Sequence, residues 1–295
     1  DPKAGERDAL VYWTEGGVYP KPNSNIDRDK LVRTGDLMPV VSKYSRVSPA
    51  GIGRYRNTVL GDDFKDNLFS AQFNTHRIIR HKLFREGASF RTEDEPFFWS
   101  DSEDFHPTDV LEDADGSLLV VETGGWFIKG CPLSQVSRPE LKGSIYRVRR
   151  NGAKKADDPY GNAVEWANLP TGDAVKHLIS GNAFVSDRAA QILVDAGDAA
   201  IEPLKILLRK TSAAEAKVKA VFICYRVGTP GALAAVRDAL NDADQQVRIA
   251  AARAAGLAKD ALAVDPLIKL VGRNEPAVRR QAATALGQIK DKKAV

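Results

Sequence analysis

The stretch QQVRIAAARAAGLAKD at residues 245–260 returns 31 residues later as PAVRRQAATALGQIKD at residues 276–291. Val247 falls on Val278, Ala251 on Ala282 and Gly256 on Gly287; Gly197 and Gly228 keep the same interval, with one shortened unit between Gly228 and Gly256. Apolar positions inside each stretch recur three and four residues apart, which is one face of an α-helix. Each unit holds a second helical segment, such as AIEPLKILLRK at 200–210 or AVDPLIKLVGR at 263–273. A single helix pair cannot bury its own apolar face, whereas stacked pairs bury each other's. A period of about thirty residues therefore predicts an α-solenoid. Three helix pairs and a final helix are expected, with Ala220, Ala251, Ala252, Ala282 and Leu286 between them.

The pattern x-x-V-R-x-x-A-A-x-A-L-G resembles HEAT repeats of the short, alanine-rich type, and the resemblance implies a protein partner on the repeats. Arg248, Arg279 and Arg280 recur at helix starts, where an ion pair between repeats is expected. The 295-residue chain has a net charge of +4. Residues 171–295 carry 19 Lys/Arg against 13 Asp/Glu, and the remainder 24 against 26. This mild excess is far from the basic footprint of a nucleic-acid binder, so no nucleic-acid partner is expected. No apolar run approaches the roughly 18 residues of a membrane span. The opening DPKAGERDALVYW reads as the interior of a longer protein, so a fragment is expected and its location cannot be read from a leader. Cys131 and Cys224 fall in different halves, and no disulfide or metal site is expected from them.

Residues 1–152 are punctuated differently. Strands are expected at 50–55, 67–73, 77–84, 90–99, 108–112, 118–123 and 144–149, separated by the turn signals GDDFKDN, REG, DADG and RNG. Alternation of apolar and basic residues in RIIRHKLF and YRVRR marks a half-buried sheet, which puts His81 on the surface. The DADG at 113–116 suits a hairpin turn; the further acidic ligands of a calcium loop are missing. Four-stranded antiparallel units in series are propeller blades. The expected fold class is thus α+β multidomain: a partial β-propeller of about two antiparallel four-stranded blades (residues 1–152), a Gly- and Pro-rich linker (153–172) and the HEAT-type α-solenoid (173–295).

Blade topology brings alternate connections to one rim. NTH at 74–76, SDSEDFH at 100–106 and the long return that begins GGW at 124–126 all emerge there. His76, Arg77, His106, Glu122 and Trp126 are accordingly the candidate binding residues. His106 is the best candidate for a catalytic base, or alternatively satisfies loop backbone groups. Arg77 beside His76 could hold a carboxylate or phosphate. Glu122 ends an inner strand facing the rim, and Trp126 offers either a stacking wall or a cover for the blade edge. Metal ligands are not expected.

The words RTGDLMPVV, SPAGIGRYR, DNLFSAQFNTHRIIRHKL, DFHPTDVLEDADGSLLVVETGGW, CPLSQ and GSIYRVRR resemble the planctomycete-type membrane-bound dehydrogenase family. That family joins a propeller similar to quinoprotein glucose/sorbosone dehydrogenases to HEAT repeats. The resemblance implies an extracytoplasmic oxidoreductase acting on a sugar-like small molecule, with pyrroloquinoline quinone (PQQ) and calcium in the full-length protein. It places haem on a further C-terminal domain, since no CxxCH occurs here, and no cofactor within these residues. A non-catalytic scaffold for protein–protein interaction is the alternative.

Overall fold

The computed structural model describes residues 8–20, 35–126, 137–154 and 157–294. The chain divides into two compact units, Asp1–Lys155 and Ala156–Val295.

In the first unit the described strands form three antiparallel sheets. A two-stranded sheet pairs β1 (Asp8–Leu10) with β2 (Ser42–Tyr44). A four-stranded meander runs in the order β3 (Pro49–Arg54), β4 (Leu68–Gln72), β5 (Arg77–Glu86), β6 (Ser89–Trp99). A three-stranded sheet runs β7 (Pro107–Glu112), β8 (Leu118–Glu122), β9 (Ser144–Val148). Among the described residues the second of the two larger sheets thus has three strands where four were expected. After β9 the chain turns at Gly152, whose φ is +73°, into charged, turn-rich sequence without the alternation that a fourth strand needs. The three sheets close no ring.

The first strands of the two larger sheets lie against each other, β3 on β7. Glycine makes this approach feasible: a Cβ on Gly51 would run into Asp109, and one on Gly53 into the Val110 carbonyl. Between the sheets sit Tyr55, Phe69, Ile78, Val110, Leu118 and Val120, all buried. The buried Tyr55 hydroxyl donates to Gly116 O at 2.7 Å and accepts from Leu60 N–H at 3.0 Å, which locks the DADG turn to the neighbouring sheet.

That turn needs Gly116 at φ +77°. Its acids are neutralised by arginines of β9 and the residue beyond it: Asp113 pairs with Arg147 at 2.5 Å and Asp115 with Arg149 at 2.6 Å. Burial alone would raise the Asp115 carboxyl, but the Ser117 hydroxyl and amide and the Arg149 guanidinium outweigh it and lower its pKa from 3.8 to about 2. Asp113 is lowered too, by Arg147. A carboxylate whose folded pKa lies below its unfolded one stabilises the fold above the unfolded value and loses that contribution as pH falls through the folded one. The β unit should therefore lose stability between pH 4 and pH 2 (about). Asp115→Asn should flatten that part of a urea-midpoint profile; an unchanged profile would count against the ion-pair account. Glu112, raised by burial, acts with the opposite sign and above this window.

The second unit is helical. Its described helices are α1 (Thr171–His177), α2 (Ala183–Asp195), α3 (Ile201–Lys210), α4 (Ala214–Val227), α5 (Pro230–Ala239), α6 (Gln245–Leu257), α7 (Val264–Val271) and α8 (Pro276–Ile289). The pairs α2/α3, α4/α5 and α6/α7 and the last helix α8 are the expected repeats, with α1 ahead of them. Local chemistry sets the ends. Asn182 and Asp244 accept backbone N–H bonds at the starts of α2 and α6, Pro230 opens α5, and Gly228 in the left-handed region (φ +71°) closes α4. Ala220, Ala251, Ala252, Ala282 and Leu286 are all buried, as the period predicts. Gly256 lies so close to Ala285 of α8 that a Cβ would meet its Cα at 2.7 Å.

The repeat extends to single hydrogen bonds. Arg248 donates to the carbonyls of Asp242 and Ala243 at 2.7 and 2.8 Å, and Arg279, one repeat on, to those of Arg273 and Asn274 at 3.0 and 2.9 Å. Arg248 also makes the expected pair between repeats, with Glu275 at 2.6 Å.

Residues 157–170, expected as linker, belong to this helical core. Trp166 is buried with α1, α2 and their neighbours, its indole N–H donates to Gly161 O at 2.6 Å, and Arg188 of α2 covers its ring. A linker composition does not reveal a tryptophan that packs.

Candidate functional site

The rim residues are set by the strand ends. A short turn at Phe73–Thr75 links β4 to β5 and leaves His76 in the left-handed region, φ +54°. The His76 ring donates from Nδ1 to Phe105 O at 2.7 Å, tying this connection to the loop before β7. His106 is 6% exposed; its Nδ1 donates to Gly124 O at 2.8 Å, and its ring lies 4.4 Å from that of Phe73 and 5.3 Å from that of His76. Glu122, 7% exposed, accepts the Gly124 N–H at 2.5 Å. Gly124 is thus held from both sides. Its φ is +66°, and a Cβ there would collide with the 141–142 backbone; Gly125 sits equally close to Arg138. The Gly-Gly after β8 is required because Gly125 exchanges backbone hydrogen bonds with Arg138 and Leu141 while Gly124 lies against the 141–142 backbone.

The histidines therefore bring loops together and do not face an opening. His106, expected to be partly accessible, is buried, because its ring fills the space between Phe73 and the Gly124 carbonyl. Arg77 donates to Thr75 O at 2.9 Å within its own turn and is exposed. Trp126 is also exposed. Cys131 lies outside the described residues, and Cys224 is buried in the helical core, where burial pushes its thiol up to about 11.

The opening lies beside this cluster. A cleft of about 480 Å³ runs between the outer edges of the two larger sheets, lined by Phe98 and Trp99 of β6, Phe105, Glu122, Lys142 and Tyr146 of β9 among others. Phe98, Phe105 and Tyr146 contact one another, with ring centroids 5.5–6.0 Å apart. Of the sequence candidates only Glu122 lines it. The aromatics were missed, although FFW at 97–99, three rings ending a strand at the rim, was the available signal. Among the described residues no group of three His, Cys, Asp or Glu could hold a metal.

His81, expected on the surface, is fully buried. Its Nδ1 and Asp94 Oδ1 lie 2.8 Å apart, its Nε2 and Ser70 Oγ 2.8 Å apart, and the Tyr44 hydroxyl sits 3.4 Å from the ring. Ser42 donates to the other Asp94 oxygen. Burial works to raise Asp94, but the bonds from His81 and Ser42 hold it below the ordinary range; burial pushes Tyr44 up to about 12. This Ser–His–Asp chain resembles a nucleophile–base–orienter arrangement, yet Ser70 is 5% exposed and does not line the cleft between the sheets. It bonds β2 to the four-stranded sheet.

In the helical unit a cleft of about 290 Å³ lies between α3 and α5. Lys205, Leu208 and Arg209 line it from α3, Asp238 from α5 and Lys217 from α4. Lys217 pairs with Asp242 at 2.7 Å, whereas Arg209 and Asp238 have no ion-pair partner among the described residues. No helix of the described residues is long and apolar enough to cross a membrane.

Residues 201–273 and 233–295 match the HEAT-repeat family. No protein of curated function matches. Human deoxyhypusine hydroxylase in complex with glycerol is a similar solved structure, 21% identical with a TM-score of 0.36, over 41% of this chain and 43% of that one. Two engineered proteins are each 24% identical with TM-scores of 0.29, over 40% and 41% of this chain and 62% and 38% of theirs. The chain thus spans less than two thirds of each. Its helical unit carries HEAT repeats.

Proposed function

We propose that this chain is a repeat-based interaction scaffold whose helical unit holds a polypeptide partner in the cleft between α3 and α5. The HEAT repeats carry this reading: successive helix pairs leave an elongated, repetitive surface that suits an extended partner better than a small substrate. Arg209 on one wall and Asp238 on the other, neither in an ion pair among the described residues, favour a segment carrying an acid and a base. The three sheets of the other unit, with β3 against β7, are read as adjoining propeller blades. The dehydrogenase reading, with PQQ and an extracytoplasmic setting, rests on the resemblance in sequence alone. The candidate base His106 is buried and does not line the β-unit cleft, which favours the scaffold. A photo-crosslinking residue at Leu208 should capture one protein partner in cells, with yield cut about tenfold in Arg209→Glu/Asp238→Lys. Equal capture from the double variant would overturn the assignment.

A further inference from the structure

The carboxylate at the base of the β-unit cleft lacks a counter-charge. Glu122 is more than nine-tenths buried, and its side chain's only hydrogen bond among the described residues is from the Gly124 amide to one oxygen. The other oxygen has no protein partner among them and opens on the cleft, where a positive charge close by would stabilise it. The nearby cations do not supply it. Arg138 is taken by Asp104 at 2.7 Å, and Lys142, though it lines the same cleft, makes no ion pair. Four aromatic side chains line the same cleft beside serines and Asp104: Phe98, Phe105 and Tyr146 in mutual contact, and Trp99, 60% exposed. Ring faces attract organic cations through their quadrupole, and more strongly when water is displaced.

We infer that this cleft binds an alkylammonium group, its head against the aromatic faces and its charge answered by Glu122. The cleft, at about 480 Å³, accommodates a choline-sized head with its stem. The same chemistry serves a free quaternary amine or a methylated lysine side chain. The site lies wholly within the β unit and does not depend on the scaffold reading.

The test is a titration of the whole chain followed by nuclear magnetic resonance, reading the Gly124 amide and the Trp99 indole. Choline and trimethyllysine are compared with 3,3-dimethyl-1-butanol, the uncharged isostere of choline. Both cations should give saturable shifts with dissociation constants on the order of 1 mM, the stronger one naming the source, and the alcohol should give none. Glu122→Gln, which keeps an acceptor for the Gly124 amide, should weaken binding at least about tenfold, and Lys142→Ala should tighten it by removing a like charge. Equal binding of the alcohol, or no saturation by either cation, would overturn the proposal. So would a Lys142→Ala variant that no longer responds to choline.

Discussion

Ala251→Glu should lower the melting temperature of the helical unit by about 10 °C or more, the result of losing at least about 3 kcal/mol. Ala251 has no exposed surface, and α6 packs on α4, α5 and α8. Its neighbours Ala250, Ala252, Ala254 and Ala255 are buried as well, so the helices approach over methyl groups and leave no room for a longer side chain. A carboxylate there would have to push the helices apart or lie charged and unpaired between them. Ala283→Glu is the control, because that position on α8 is exposed, and it should change stability by less than about 0.5 kcal/mol. Thermal melts by far-UV circular dichroism separate the two. Equal melting of Ala251→Glu and wild type would refute the repeat packing.

His81→Leu should destabilise the β unit by about 2–4 kcal/mol, although leucine has similar volume and a buried position would ordinarily welcome it. The imidazole is the centre of its network: removing it leaves the Ser70 hydroxyl and the Asp94 carboxylate without their main partners beneath Tyr44. Ser70→Ala removes one end only and should cost about 1 kcal/mol. The order His81→Leu well above Ser70→Ala, measured by urea denaturation, is the expected result. A leucine variant as stable as wild type would show that hydrophobic contact at this position matters and the hydrogen bonds do not.

The burial of His81 shows where sequence reading fails. The alternation in RIIRHKLF marks a strand correctly, but it also suggests that basic residues face water. In the fold Ile78, Ile79, Arg80 and His81 are all buried, because the strand is covered on both faces. Arg80 is tolerated there because Asn67, Asp63 and Glu95 accept from it and Phe64 lies under its guanidinium. Such partners come from other segments of the chain, Asp63, Phe64 and Asn67 before β4 and Glu95 in β6, and leave no local trace. The seven longer strands were legible because period-two alternation and Gly- or Asp-rich turns are local signals; the three-residue strands β1 and β2 are too short to show a period. The helical repeats were most legible of all, since a 31-residue interval compares the sequence with itself. At the site, Glu122 could be placed from its position at a strand end, whereas the aromatic lining comes from two sheet edges that meet only in three dimensions.

The bonds of Arg248 and Arg279, one repeat apart and made to equivalent carbonyls, have a mechanical consequence. Each interface in the stack is formed by neighbouring helices, so the helical unit responds to load as springs in series. A pull along the stack is shared as a small slip at every interface, α2 on α4, α4 on α6 and α6 on α8, with no single hinge to give way.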